Sequence, residues 1–315
     1  QKDPDVAPYL PETIHLEPML IDMDRYNKDL YKQIASDLIH ELHEAQELMG
    51  GSFSLEAHYG HGYQPGSPAD KLRGSIMSKI TSLRMLCDSP MLLVESSTKF
   101  KNGWQEVNGE KVNLEGSRGG SAYVAQLEES GALAKAKKSQ KLEAVIDYVV
   151  DHLEANEDHK VVIFTCYLGM LPLIQEALTK KKIVSTLYSG LLNAKEKEES
   201  KTSFQTSKDV RVLISSDAGG YGVDLPQANL LVNFDLPWSS GTAVQRNSRI
   251  RRASSTWSHV VIQDFLVLDS IEERQYQMLM QKNAVADAVM DGEGINSKGG
   301  VDLTVGSLLN FLKGE

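Results

Sequence analysis

Apolar positions recur along this chain with two different periods, and the change falls near residue 139. Leu30, Ile34, Leu38 and Leu42 stand four apart behind Asp24. That spacing places them on one face of a helix and makes Asp24 its N-cap. Ile76, Ile80, Leu83 and Leu86 form a second stripe, closed by Pro90. An apolar-rich stretch, 16–23, precedes the first helix, and residues 50–68 turn to the Gly, Ser, His, Tyr and Pro of a surface loop. Residues 95–138 are polar, Gly-rich and charged with no sustained period, which predicts a flexible insertion or linker.

Beyond residue 139 the pattern is regular. Leu142, Val145, Ile146, Val149, Val150 and Leu153 make a helical stripe. Short β-branched runs then predict strands over 161–165, 183–188, 211–215, 230–234 and 259–266. Helices are predicted between them, over 168–181, 194–204, 241–252 and 270–290. Strands that alternate with helices and are apolar on both faces predict a parallel sheet covered by helices. Ligands on such sheets sit beyond the C-terminal strand ends, so the loops after each strand are where chemistry belongs.

Composition narrows the function classes. The 315 residues are 41% hydrophobic, and no apolar run is long enough to span a membrane. The polar start, Gln1-Lys2-Asp3-Pro4, is no signal peptide and is what an excised fragment shows. Cys87 and Cys166 are too far apart for a disulfide framework or a zinc spacing, which fits a reducing cytoplasm. A net charge of -10 argues against a protein that coats nucleic acid, though not against a local track for phosphates.

Two loops carry candidate chemistry. Ser215-Ser216-Asp217-Ala218-Gly219-Gly220-Tyr221-Gly222-Val223-Asp224-Leu225 follows a strand. Glycines let backbone N–H groups approach an anion closely, and equally they make an ordinary turn. Gln245-Arg246-Asn247-Ser248-Arg249-Ile250-Arg251-Arg252 follows the next strand and is expected on a helix, with Arg249 and Arg252 on one face. Paired guanidiniums suit a phosphate in transfer, and equally a solvated basic helix end.

Order and spacing resolve these alternatives. The Ser-Ser-x-Ala-Gly-Gly-x-Gly-x-x-Leu run, the Asp235-x-x-Trp238 and the Gln245-x-x-x-Arg249-x-x-Arg252 resemble helicase motifs V and VI of the Swi/Snf-type branch of superfamily two. Ser139-Gln140-Lys141-Leu142, Leu10-Pro11 and the run from Leu83 to Pro90 resemble further family segments, and Ser270 to Arg274 with Ala286 to Val289 resembles the brace helix of bacterial members. The resemblance implies a RecA-like α/β lobe with an appended helical subdomain and two loop insertions. Its parts are an opening helical subdomain over 1–94, an insertion over 95–138, the RecA-like core over 139–268, and a brace helix with tail over 269–315.

The family assigns roles by position. Arg249 and Arg252 would be arginine fingers, and Gly220, Gly222, Asp224 and Gln245 would face ATP. Thr165, Gly190, Ser215, Ser216 and Gly219 would grip phosphates of double-stranded DNA. ATP and Mg²⁺ would be held mainly by an N-terminal ATP-binding lobe of the same protein, because no G-x-x-x-x-G-K-[ST] occurs in this sequence. No metal site is expected; His58 and His61 with Glu56 lack a third strong ligand at a known spacing. Departures at Lys197, Asp224, Ser239-Ser240, Arg251 and Ala253 suggest a bacterial or viral relative acting in the cytoplasm. Two other readings stand beside the translocase: a strand-separating helicase, with Trp104 and Tyr123 as wedge candidates, and a silent RecA-like interaction module.

Overall fold

The structure is a computed structural model that describes residues 9–50, 67–107, 110–113, 120–217, 222–290 and 304–313. In chain order, strands β1 (Glu12–His15) and β2 (Met19–Ile21) precede helices α1 (Arg25–Met49), α2 (Pro68–Asp88) and α3 (Pro90–Asn102). Strands β3 (Trp104–Val107) and β4 (Glu110–Asn113) and helix α4 (Ala122–Glu129) follow. Next come α5 (Gln140–Ala155), β5 (Val161–Thr165), α6 (Met170–Lys180), β6 (Val184–Tyr188), α7 (Ala194–Thr206) and β7 (Val210–Ser216). The chain closes with β8 (Leu230–Asn233), α8 (Ser240–Asn247), β9 (His259–Val267), α9 (Ile271–Met290) and α10 (Val305–Lys313). Two compact units result: Gln1–Asp22 with Gln140–Leu268, and Met23–Ser139 with Asp269–Glu315.

The first unit is a sheet in the order β1-β9-β8-β5-β7-β6, with β2 also paired to β9. Every pair in it is parallel. Each of the five strands expected from β-branched runs lies within one residue of its predicted limits. Their apolar character on both faces explains the topology: all residues of β5 and β8 are buried, as a sheet covered by helices requires. Phe164, Phe204, Leu213, Leu231, Ile250 and Ile262 share one apolar cluster, each side chain contributing about 1.5–3 kcal/mol by burial. The stripe on α5 is buried at Val145, Ile146, Val149 and Leu153.

Two expectations give way here. Residues 12–21, placed by sequence within a helical subdomain, are strands on the edge of the sheet, with Glu12 opposite His259 and Met19 opposite Phe265. The helix expected over 241–252 ends at Asn247, so Arg249 and Arg252 do not share a helical face. Ser248 Oγ donates to the Gln245 carbonyl at 2.9 Å, and Arg249 N–H to the Arg246 carbonyl at 3.0 Å, turning the chain. The turn drives Ile250 into the core at 0% exposure.

In the second unit, Asp24 caps α1 by accepting from Asn27 N–H at 2.8 Å, and Leu30, Ile34, Leu38 and Leu42 are buried as the four-residue spacing predicts. Residues 95–138 are not a featureless linker. They hold the end of α3, the antiparallel pair β3–β4, and α4, which buries Val124, Ala125 and Leu127. Glu128 anchors α4 to α3 by accepting from Ser97 Oγ at 2.5 Å and Lys101 Nζ at 2.7 Å. Tyr123 is held as well, its hydroxyl donating to Asp37 at 2.7 Å. The loop with His58 and His61 lies outside the described residues.

Candidate functional site

Three parallel strands run out at one edge of the sheet: β5 into Cys166, β7 into Asp217, and β8 into Phe234 and Asp235. A single cation from α8 meets all three. Arg246 is 2% exposed. Its Nε and Nη2 grip the two carboxylate oxygens of Asp217, the Nη2 bond at 2.9 Å. Nη1 donates to the Asp235 carbonyl at 2.6 Å, Nη2 lies 3.2 Å from Cys166 Sγ, and the guanidinium sits 5.6 Å from the Phe164 ring centre. Burial works against the charge, but Asp217, Cys166 and Asp235 outweigh it and hold the guanidinium above its usual range.

Asp235 completes the knot. Its carboxylate accepts from Thr165 Oγ1 at 2.5 Å and from Cys166 N–H at 2.8 Å. Behind it, Asn233 Nδ2 donates to Asp264 at 2.7 Å; burial raises that carboxyl's pKa, opposed by Asn233 and by the charges of His15 and Arg246. Sequence reasoning gave Arg246 and Asp217 no role, and used Asp235 only as a motif residue. The signal was present: Arg246 is the one charged residue in α8, and an aspartate follows both β7 and β8.

A second arrangement lies on the next turn of chain. Leu225 N–H donates to the Arg249 carbonyl at 3.0 Å, and Arg252 Nε donates to Asp224 Oδ1 at 2.6 Å. Residues 222–225 and 248–252 are therefore zipped together, although neither is a regular element. Gly222 makes the approach with φ +80°, a conformation side chains resist. The charge of Arg249 lowers the pKa of Tyr188, at the end of β6, against the larger rise caused by burial and the further rise from Glu198.

The remaining expected positions divide. Gly190 and Gln245 are exposed on loop and helix at this edge. Gly219 and Gly220 lie outside the described residues. Thr165 and Ser215 are both 0% exposed, Thr165 donating to Asp235 and Ser215 to the Ser216 carbonyl at 3.1 Å. Ser216 is likewise buried, at 2%. Among the described residues no cluster of His, Cys, Asp and Glu could hold a metal, and no helix is long and apolar enough to cross a membrane.

With these loops in place, similarity to known proteins falls on this region. Residues 140–254 match the helicase conserved C-terminal domain. Over 225 residues, 71% of this chain, the sequence is 27% identical to the DNA repair and recombination protein RAD54-like of Mus musculus, of which the match covers 28%. This chain thus spans well under half the length of the curated relatives it matches. The Sulfolobus solfataricus SWI2/SNF2 ATPase C-terminal domain shares the fold with a TM-score of 0.54 at 18% identity, over 88% of this chain and 90% of that one. The SWI2/SNF2 ATPase core of the same organism, in complex with dsDNA, gives 0.57 at 19%, over 90% and 47%. Residues 140–254 are thus similar to a helicase C-terminal domain, the chain has the RecA-like fold of a SWI2/SNF2 ATPase C-terminal lobe, and its zipped loops are the segments that resemble motifs V and VI.

Proposed function

We propose that this chain is the second motor lobe of an ATP-dependent double-stranded DNA translocase of the Swi2/Snf2 type. The observation that carries the reading is the pairing of residues 222–225 with 248–252, which fixes Arg249 and Arg252 beyond the strand ends of the sheet. ATP and Mg²⁺ are held mainly by a separate P-loop lobe of the same protein. Arg249 and Arg252 reach its phosphates and stabilise the charge that shifts during phosphoryl transfer. Gly220, Gly222 and Gln245 line the nucleotide side, with Asp224 beside Arg252, and the loops at Gly190 and Gly219 follow the phosphates of one DNA strand. Contacts of that kind go to the backbone and are indifferent to base sequence. The buried Arg246 knot keeps the two motif loops in register beneath the site.

Arg252→Ala or Arg249→Ala in the full-length protein tests the reading. DNA-stimulated turnover should fall by about 10³–10⁵ while ATP binding persists, the effect of removing an arginine finger. Turnover within about tenfold of wild type in both variants overturns it. The chain by itself should hydrolyse no ATP, with or without DNA.

A strand-separating helicase is the second reading, and one observation favours it. Trp104 opens β3 of an antiparallel pair, and a hairpin resists a fork better than a loose loop does. Forked-duplex unwinding that Trp104→Ala abolishes would select it; triplex displacement without unwinding selects the translocase. Placement in a bacterial or viral branch, and in the cytoplasm, is supported by the departures at Lys197, Asp224, Ser239, Ser240, Arg251 and Ala253, by the bacterial-type brace helix and by the cysteine usage. The relatives found include animal and fungal proteins.

A further inference from the structure

Arg252 is held at one edge of its guanidinium. Among the described residues its side chain makes one hydrogen bond, from Nε to Asp224 Oδ1 at 2.6 Å, so both Nη groups stay uncommitted. The backbone beneath this pair is fixed from several directions. Leu225 and Ile250, the neighbours of Asp224 and of the turn, are both 0% exposed in one apolar cluster. Leu225 N–H is bonded to the Arg249 carbonyl, and the Asp224 carbonyl accepts from Gln205 Nε2 of α7 at 3.3 Å. The pair itself is open to water: the Asp224 side chain is 58% exposed and that of Arg252 25%.

An ion pair this exposed adds little to folding, so stability does not account for the arrangement. Its geometry does something else. An arginine side chain has several freely rotating bonds, and its planar fork contributes most when it is oriented before the ligand arrives. We infer that Asp224 is a positioning residue for Arg252: it takes the Nε edge so that the two Nη groups are presented together to an anion. This rests on the reading of Arg252 as a phosphate-contacting arginine. It differs from a role for Asp224 in touching the nucleotide, because the carboxylate then acts only through Arg252.

The experiment is a double-mutant cycle in the full-length protein. It measures ATP hydrolysis under DNA stimulation, with single-turnover rates so that weak variants stay readable. Asp224→Ala should lower the rate about tenfold, the loss expected when a reacting group is held less firmly, with KM for ATP within about twofold. Asp224→Asn keeps an oxygen that can accept from Nε and should lose less than Asp224→Ala. The double variant Asp224→Ala with Arg252→Ala should be no slower than Arg252→Ala alone. The thermal midpoint of Asp224→Ala should stay within about 2 °C of wild type, as for an exposed pair.

Each other outcome counts against the proposal in a distinct way. If Arg252→Ala destroys turnover but Asp224→Ala matches wild type, positioning by Asp224 fails and the motor-lobe reading survives. Additive losses with a raised KM would show that Asp224 meets the nucleotide on its own. A large fall in midpoint would make the pair structural. Wild-type turnover in Arg252→Ala would remove the underlying reading itself.

Discussion

The two ends of the parallel sheet both hold cations, and they do so with different partners. At the C-terminal strand ends, Arg246 is held by the carboxylates of Asp217 and Asp235. At the N-terminal ends, Arg211 and Lys160 donate their hydrogen bonds to backbone carbonyls, with the Phe204 ring also 5.2 Å from Lys160 Nζ. Arg211 Nη2 donates to the carbonyl of Leu153 at 2.6 Å and also to that of Asn156, and Nε to that of His159 at 3.0 Å. Lys160 Nζ donates to the carbonyls of Phe204, Ser207 and Val210, the last two at 2.7 and 3.3 Å. The carbonyls of Leu153 and Phe204 belong to the last turns of α5 and α7, where cations complement the helix dipole. The consequence shows in the proton affinities: burial, then the neighbouring Arg211, lowers the Lys160 pKa, whereas Arg246 is held up by its carboxylates. Cations at one end close helices. The cation at the other joins the loops that carry the site.

Arg246→Ala breaks the contrast most severely. It leaves Asp235, 1% exposed, without its cation, and unties Asp217 from α8. Removing one partner of a buried pair costs roughly 3–5 kcal/mol. Urea unfolding should show a loss of that size with an unchanged m-value. A loss below about 1 kcal/mol would mean that water replaces the guanidinium without penalty, and that the knot does not hold the loops.

Arg211→Ala should cost less, about 1–1.5 kcal/mol, because neutral carbonyls near the surface can turn to water once the guanidinium is gone. Asn156, one of its acceptors, is already exposed. The same urea series measures it, and equal losses at Arg211 and Arg246 would erase the distinction between the two ends.

How much of this could be read from residues alone depended on the distance over which each element is decided. The core strands were legible because burial on both faces leaves an apolar run such as Val161-Val162-Ile163-Phe164 inside one short segment. β1 and β2 were not, since their stability comes from pairing with β9, more than two hundred residues on. α4 was hidden by its brevity, eight residues with three buried, and β3–β4 by a polar setting, although Asn108-Gly109 between them is a strong hairpin dipeptide. Arg249 and Arg252 were singled out by motif spacing, but the helix drawn through them was wrong because Ile250 had to reach the core. Arg246 escaped because an arginine is rarely buried. Only the folded register brings Asp217 and Asp235 to one cation.

The smallest expected effect sharpens the comparison through pH. His152 sits at the carbonyl-lined end, stacked on His159 with ring centres 4.3 Å apart, and His159 meets Trp257 edge-on at 5.6 Å. Its Nε2 lies 3.2 Å from Asn229 Oδ1, which also accepts the Lys160 N–H at 3.1 Å. Burial lowers the His152 pKa first, and the charges of His159 and Arg211 lower it further, while Asn229 opposes them. Above the ordinary histidine value of about 6.5 the ring is neutral in both folded and unfolded chains, and stability is complete. As pH falls below that value the unfolded chain binds the proton first, so stability declines until the folded pKa is passed. One proton limits the slope to about 1.4 kcal/mol per pH unit. Urea unfolding at pH 7.5 and 5.5 should therefore show a loss on acidification that is smaller in His152→Gln. An equal loss in both proteins would place the acid sensitivity elsewhere, and the cations at this end would then be indifferent to the histidine stack beside them.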